Sequence, residues 1–166
     1  MHNYLNYINE QIVWQEVPGE TALAYTITGC PLRCEGCHSS EYRNAKVGEQ
    51  LGQTYFAQRL VDYRGLISCV LFLGGEWQPE LLLPFLEMAR AEQLHTCLYS
   101  GFESVNSRLL PHLTYLKTGA WDMARGGLDN PNTNQRFIDL RNQQLLNHKF
   151  HKPAQASLQG ATHATT

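Results

Sequence analysis

The residues with the most obvious chemistry are three cysteines in one short segment, Cys30, Cys34 and Cys37. Their spacing is C-x3-C-x2-C, and thiolates are soft ligands that suit zinc or iron–sulfur clusters. The chain has five cysteines in all, an odd number that cannot pair completely into intramolecular disulfides. The other two, Cys69 and Cys97, stand alone inside apolar runs, a position typical of packing. The three clustered cysteines therefore indicate metal or redox chemistry in a reducing compartment.

Two kinds of metal centre fit this segment. A closed zinc site takes four protein ligands, and His38, directly after Cys37, could complete a Cys3His set. Ligands on adjacent residues fit one tetrahedron poorly, however, and no second cysteine pair follows downstream. The alternative is a four-iron cluster with three irons held by cysteine and one left open to a small molecule. The spacing favours the open cluster, which would be a reactive site, over the structural zinc site.

The elements that must position these cysteines alternate along the chain. Four β-rich segments each end at or beside a glycine: residues 22–28, 67–73, 96–100 and 113–118. Helical patterns separate them at residues 55–63, 79–91 and 103–110. Such alternation predicts right-handed parallel βαβ units. The expected fold class is thus α/β, with a mostly parallel open sheet.

The glycines that end the predicted strands should meet at one edge of the sheet. The loops concerned begin at Gly29, Gly74-Gly75-Glu76, Ser100-Gly101 and Thr118-Gly119. Parallel α/β sheets bind ligands at the carboxyl ends of their strands, and glycine lets the backbone approach a ligand closely. The cysteine segment follows the first of these strands, so we expect all four loops to form one site.

The remainder of the chain is less regular. Residues 120–136 are rich in Gly, Asn and Pro and predict a long loop, unusual enough in a compact domain to suggest a functional surface. Residues 137–150 alternate around a polar turn, which predicts a hairpin. Residues 151–166 are small and polar, and we expect a disordered tail there. The domain organisation is therefore one domain at residues 1–150 followed by that tail.

Charge and hydropathy exclude several function classes. Thirteen basic and fifteen acidic residues give a formal charge of −2 without a basic stripe, which argues against nucleic-acid binding. The longest apolar runs, such as residues 67–73, are too short to cross a bilayer. The amino-terminal residues lack the basic and apolar segments of a secretory signal. The expectation is a soluble cytoplasmic protein without a membrane partner.

Several motifs together resemble the radical S-adenosylmethionine superfamily. Its signature is C-x3-C-x2-C, and Gly74-Gly75-Glu76 resembles its "GGE" motif. The distal segments Gly126-Gly127-Leu128 and Thr133-Asn134-Gln135-Arg136 are similar to those of the small activating proteins of anaerobic (class III) ribonucleotide reductase. The resemblance covers about residues 4–150 and implies a shortened form of the partial (β/α) barrel of that superfamily.

The resemblance also implies a set of site residues. Cys30, Cys34 and Cys37 would hold a 4Fe-4S cluster whose open iron binds the amino and carboxylate groups of S-adenosylmethionine. The adenine side of that cofactor would be lined by Gly36, Cys37 and His38. Its aminoacyl end would contact Gly74, Gly75 and Glu76, with Gly75 in the most direct contact.

The activity implied is a glycyl-radical-generating activase. It would cleave S-adenosylmethionine reductively and take a hydrogen atom from a glycine of the large subunit of anaerobic ribonucleotide reductase. A low-potential flavodoxin or ferredoxin would supply the electron. Two other readings stay open: a radical enzyme that modifies a small heterocycle or a peptide, and a metal-stapled interaction domain without catalysis.

Overall fold

The computed structural model describes residues 3–153, which form one eight-stranded sheet and two α-helices. The strands are β1 (Asn6–Val13), β2 (Ala22–Ile27), β3 (Glu49–Gln50), β4 (Cys69–Leu73), β5 (His95–Tyr99), β6 (Tyr115–Thr118), β7 (Arg136–Asp139) and β8 (Gln144–Leu145). The helices are α1 (Gln53–Asp62) and α2 (Pro79–Ala91). Short 3-10 turns lie at Ser40–Arg43, Leu110–His112 and Asn147–Phe150. Residues 154–166 of the expected disordered tail lie outside the described residues.

The sheet is mixed, in the order β3-β1-β2-β4-β5-β6-β7-β8. Only the three pairings among β2, β4, β5 and β6 are parallel, and the other four pairings are antiparallel. The predicted mostly parallel open sheet, and with it the shortened partial (β/α) barrel, is therefore wrong. Parallel strands need long crossovers, whereas the short β1–β2 and β7–β8 connections return the chain antiparallel. The hairpin predicted at residues 137–150 is confirmed as the antiparallel pair β7–β8. The antiparallel pairings of β1 with β2 and β3, and of β6 with β7, were not predicted.

The helix predicted at residues 103–110 is also absent, which leaves two α-helices in residues 3–153. The segment is irregular and ends in the 3-10 turn at Leu110–His112. The side-chain oxygen of Asn106 accepts a hydrogen bond from the backbone N–H of Arg108 at 3.0 Å. Such a local turn competes with the helical hydrogen bonds, and Pro111 ends the segment.

The two helices that form are those with the clearest apolar stripes. Helix α2 has Pro79 in its first turn and buries one face, comprising Leu82, Phe85, Leu86 and Ala89. Helix α1 buries Phe56 and Leu60 against the same side of the sheet. The predictions for these two helices and for strand β2 are confirmed. Within residues 3–153, no helix has the length and apolar character needed to span a membrane.

The two faces of the sheet are covered differently. One face packs beneath α1 and α2, with residues such as Tyr25 and Phe72 in its core. The opposite face buries Leu71, Cys97 and Phe137 beneath irregular segments instead of helices. Cys69 lies in this second core too, so both isolated cysteines are packing residues as predicted. Neither α1 nor α2 covers the second face, and the 3-10 turn at Asn147–Phe150 packs Phe150 against it.

Candidate functional site

The three cysteines lie on the loop that follows β2, residues 28–39, which we call the cysteine loop. Its start is fixed by two hydrogen bonds: Thr28 Oγ1 donates to Val47 O at 2.9 Å, and the Gly29 N–H donates to Tyr42 O at 2.8 Å. Gly29 has φ of +97°, and a Cβ atom there would lie 2.8 Å from the Cβ of Ala45. Only glycine meets both conditions without strain, so the loop leaves the strand at a residue that local sterics dictate.

The cysteine loop is also ordered internally. The carbonyl of Cys34 accepts hydrogen bonds from the Cys37 N–H at 3.3 Å and from Arg43 Nη2 at 3.1 Å. The Ser39 N–H donates to Cys37 Sγ at 3.4 Å. All three cysteines, Cys30 included, are partly buried and free of disulfides. The hydrogen-bonded backbone of the loop thus holds three free thiols in defined positions.

A cavity of about 200 Å³ lies between the cysteine loop and the carboxyl ends of the parallel strands. We call it the site cavity. Its walls include all three cysteines and, from the strand ends and following loops, Gly74, Glu76, Ser100, Gly101, Lys117 and Trp121. Each of the four glycine loops predicted to meet at this edge contributes to the cavity wall, either through its own residues or through a residue close to it in the chain. The expectation that these loops would form one site is met in the structure.

Glu76 is the carboxylate that lines this cavity, and it is unusual for a carboxylate because it is only 6% exposed. Its Oε1 accepts a hydrogen bond from Ser100 Oγ at 2.6 Å, whereas its Oε2 is buried without a hydrogen-bond partner. Burial raises the pKa of Glu76, and the hydroxyl of Ser100 and the positive charge of Lys117 act in the opposite direction. A buried acceptor without a partner costs free energy, and a positively charged ligand in the cavity would satisfy it.

Lys117 is a site residue that the sequence argument missed. Its Nζ donates to the backbone carbonyls of Ser100 at 3.3 Å and Gly119 at 2.8 Å. Burial lowers the pKa of this ammonium to about 8, while Glu76 acts to raise it. The signal in the sequence was a lysine within a predicted strand, between Leu116 and Thr118. A lysine is rarely buried unless its charge has a partner. Glu76 is the acidic side chain among the cavity's lining residues, and Lys117 and Arg43 are the basic ones.

Three of the predicted cofactor contacts do not line the site cavity. Gly75 is buried, and a Cβ atom there would lie 3.5 Å from Cγ1 of Ile27. His38 is exposed and packs its ring on Trp121, with 5.1 Å between the ring centroids. Gly36 sits under the side chain of Met123 on the outer side of the loop. Their roles toward adenine and the aminoacyl group stay predictions.

The donor set fits an iron–sulfur cluster better than it fits a single metal ion. In the part of the chain that the structure describes, no three His, Cys, Asp or Glu side chains converge closely enough to hold one ion. A cubane cluster binds each thiolate through a different iron, so its cysteines do not have to converge on one point. Burial raises the pKa of Cys30, so cluster assembly would have to displace a proton there.

Comparison with known families supports the same centre. Residues 17–117 match the family model described as a 4Fe-4S single cluster domain. This match spans well over half of the chain, includes the cysteine loop, and confirms the prediction of a 4Fe-4S cluster. Comparison with curated proteins gives no match. From its family match and its three-thiol loop, we conclude that the chain belongs to the 4Fe-4S single cluster domain family.

Proposed function

We propose that this protein is a radical-generating activating enzyme, which cleaves S-adenosylmethionine reductively and leaves a glycyl radical on anaerobic ribonucleotide reductase. The observation that carries the proposal is the site cavity, where three thiols face a buried carboxylate and a buried ammonium. Cys69 and Cys97 are buried in the sheet core and do not line this cavity. Three cysteines therefore leave one iron of a four-iron cluster free to bind a small molecule.

The two charges suit the aminoacyl end of S-adenosylmethionine, which carries one ammonium and one carboxylate. Glu76 Oε2 has no hydrogen-bond partner and would accept from the ligand's ammonium group. Lys117 Nζ is held by two backbone carbonyls and keeps a third N–H that can donate to the ligand's carboxylate. Both groups are already desolvated and fixed, so little reorganisation accompanies binding.

The rest of the cavity orients the cofactor and excludes water. Leu73, Tyr99 and Trp121 form part of its apolar wall. When bound, the cluster would supply the sulfonium of S-adenosylmethionine with one electron from a low-potential flavodoxin or ferredoxin. Cleavage of the C5′–S bond would then give methionine and a 5′-deoxyadenosyl radical. This radical would take a hydrogen atom from the glycine. An apolar wall suits this chemistry because it keeps water and other hydrogen donors from the reacting carbon.

A protein substrate suits this site because the site is not fully enclosed by the chain itself. Among residues 3–153, neither α1 nor α2 covers the second face of the sheet, and the walls of the site cavity include the cysteine loop and Trp121. A partner polypeptide would complete the enclosure when it docks. A small heterocycle would instead need further covering structure from this chain.

An anaerobic assay tests the proposal. The protein is reconstituted with iron and sulfide, reduced with dithionite, and supplied with S-adenosylmethionine; the product measured is 5′-deoxyadenosine. We expect cleavage from the cluster-loaded protein alone and, with the reductase large subunit present, a glycyl radical detected by electron paramagnetic resonance. Zinc binding without cluster formation would overturn the proposal and support a structural metal site. Cleavage without a radical on the reductase would reassign the substrate.

A further inference from the structure

Positive charge is concentrated in the carboxyl-terminal part of this chain. No acidic residue follows Asp139 in the sequence, whereas Arg141, Lys149 and Lys152 do. The chain as a whole carries a formal charge of −2, so this part differs in sign from the rest. A local excess of one charge indicates where a molecule of the opposite charge is attracted.

A cavity of about 350 Å³ lies in this part of the protein, and we call it the basic pocket. Its titratable lining residues are Arg136, His148 and His151, and no carboxylate is among the described residues that line it. The basic pocket shares only Gln135 with the walls of the site cavity, and none of the five cysteines lines it. It is therefore a separate feature from the site of the cluster.

The side chain of Asn147 holds the two sides of the basic pocket together. Its Oδ1 accepts a hydrogen bond from the Phe137 N–H at 2.8 Å, and its Nδ2 donates to Gln135 O at 2.8 Å. These two bonds lie on either side of Arg136 in β7. They fix the turn that carries His148 beside the strand that carries Arg136, so the pocket is formed before any ligand arrives.

The 3-10 turn at Asn147–Phe150 sets the spacing of the two imidazoles. The backbone N–H of His151 donates to the carbonyl of His148 at 3.3 Å, which closes the end of this turn. Side chains three residues apart lie on the same side of such a turn, and both rings line the one pocket. Phe150 packs its ring on Phe137, with 5.1 Å between the ring centroids, and so anchors the turn to the sheet.

The nitrogen donors of the basic pocket are free to bind a ligand. Among residues 3–153, no hydrogen bond or ion pair engages the side chains of Arg136, His148 or His151. A guanidinium carries five N–H groups, and each imidazole carries at least one. A phosphoryl group presents three oxygens in different directions and can accept from three such side chains at once, whereas the two oxygens of a carboxylate lie in one plane.

A metal ion fits the basic pocket less well than an anion does. Two imidazoles are common zinc ligands, but the guanidinium of Arg136 places a positive charge in the same wall. In the described part of the chain, no third His, Cys, Asp or Glu side chain joins these two imidazoles to complete a metal site. The charge of the wall and the ligand count both favour an anion.

We propose that the basic pocket binds a small phosphorylated ligand, whose phosphoryl group is held by Arg136, His148 and His151. The rest of the ligand lies against Pro131 and Leu145, which line the same pocket. Leu145 is 44% exposed, so an apolar group of a ligand would remove part of its side chain from water. This inference goes beyond the proposed function and does not depend on it.

The test uses the full-length, cluster-loaded protein under anaerobic conditions in a buffer without phosphate. The probe is phenyl phosphate, which joins a phosphoryl group to a small apolar ring. The comparison ligand is phthalate, which carries two carboxylates on the same ring and a similar charge. Binding is measured by calorimetry. We expect phthalate to bind about tenfold or more weakly than phenyl phosphate, because its planar groups satisfy fewer of the donors.

The matched protein variants are Arg136→Gln and Lys149→Gln, which remove the same charge. Arg136→Gln should weaken binding of phenyl phosphate about 10- to 100-fold, because a charge-assisted hydrogen bond is lost. Lys149 belongs to the same turn but does not line the pocket, so Lys149→Gln should bind within about twofold of the wild type. His148→Gln should weaken binding about three- to tenfold, and it replaces Arg136→Gln if that variant folds poorly.

Two results would overturn the inference on the wild-type protein alone: absence of phenyl phosphate binding, or phthalate binding of equal strength. An equal loss of affinity in Lys149→Gln and Arg136→Gln would also overturn it, since general charge and not the pocket would then attract the ligand. Formation of 5′-deoxyadenosine enters none of these comparisons, so the basic pocket and the radical chemistry stand or fail separately.

Discussion

The two edges of the parallel strands differ in whether their buried polar groups have hydrogen-bond partners. At the amino edge, Glu20 is fully engaged: it accepts from Tyr115 Oη at 3.0 Å and from the hydroxyl of Ser68, and lies 2.5 Å from His95 Nδ1. Arg141 extends this network by donating to the same tyrosine hydroxyl at 3.1 Å. No atom of this network is among the buried unpartnered polar side-chain atoms of residues 3–153.

The carboxyl edge carries the opposite arrangement. Glu76 Oε2, Trp121 Nε1 and Asn134 Oδ1 are buried there without partners, and Lys117 is a buried ammonium beside them. Residues 3–153 contain two further such atoms, Asn6 Oδ1 and Tyr25 Oη. Buried polar groups in folded proteins are nearly always hydrogen-bonded, so the three that occur together at this edge require an explanation. The amino edge satisfies its polar groups with its own side chains, whereas the carboxyl edge keeps unpartnered groups that the proposed ligands would satisfy.

The largest effect should come from removing one of the three cysteines proposed to hold the cluster. Cys34→Ala should abolish the brown iron–sulfur absorbance and all cleavage of S-adenosylmethionine, because two thiolates cannot hold a four-iron cluster that needs three. The fold should survive because Cys34 lies on a loop, and circular dichroism checks this. Cys97→Ala is the matched control and should keep its cluster, since Cys97 is buried in the sheet. Cluster retention in Cys34→Ala would contradict the assignment of the site.

The next effect concerns the unpartnered carboxylate. Glu76→Gln keeps the shape and the acceptor for Ser100 but removes the charge, so S-adenosylmethionine should bind about 10- to 100-fold more weakly. Equilibrium binding to the cluster-loaded protein measures this. The free energy of unfolding should change little, because removal of an unpartnered buried carboxylate offsets the loss of its attraction to Lys117.

Glu80→Gln is the control for this variant. Glu80 is an exposed residue of α2 that pairs with Arg108, and its loss should leave binding unchanged. A Glu76→Gln protein that binds the cofactor normally but unfolds more easily would reverse the comparison of the two edges.

A smaller effect, confined to stability, is expected at the amino edge. Glu20→Gln should lower the free energy of unfolding by about 2 kcal/mol, because the carboxylate is an acceptor for several neighbouring groups and an amide replaces one of its oxygens with a donor. Cluster content and cofactor binding should stay at wild-type levels. Urea denaturation measures the first quantity and iron analysis the second.

The exposed ion pair of Arg64 with Glu92 provides the control for the amino edge. Glu92→Gln should change the free energy of unfolding by well under about 1 kcal/mol, since surface pairs contribute little. If Glu20→Gln changes the free energy of unfolding as little as Glu92→Gln does, the amino-edge network does not stabilise the fold.

The smallest effect is a pH dependence from Lys117, measured on the cluster-free protein. Burial lowers the pKa of Lys117 from 10.5 to about 8, so between these pH values the unfolded chain binds more protons than the folded one. Stability therefore rises with pH through this window, and the cost of the buried ammonium is fully present below pH 8. Relative to Lys117→Met, the wild-type protein should gain about 1 kcal/mol between about pH 7 and 9. Parallel pH profiles for the two proteins would contradict the buried charge.

Local patterns in the sequence predicted the elements that stand on local physics. The stripe of apolar residues and the first-turn proline specify α2, and the apolar run ending in glycine specifies β4. They failed where a short-range competitor intervened: Asn106 turns the backbone at residues 103–110, and the helical pattern there does not form a helix. They indicated the β7–β8 hairpin, but they failed for the pairings of β1 with β2 and β3 and of β6 with β7, which make the sheet mixed.

Three thiols at fixed spacing on one loop are a metal-binding unit wherever the loop lies, so the metal-binding character of this chain could be predicted without its fold. The sequence also indicated that glycine loops would meet the cysteines at a strand edge. The folded structure was needed to establish the strand directions and the position of Glu76 and Lys117 in one cavity. The reason is that these features depend on contacts between distant segments, and hydrophobic periodicity records which residues are buried but not which segments they meet.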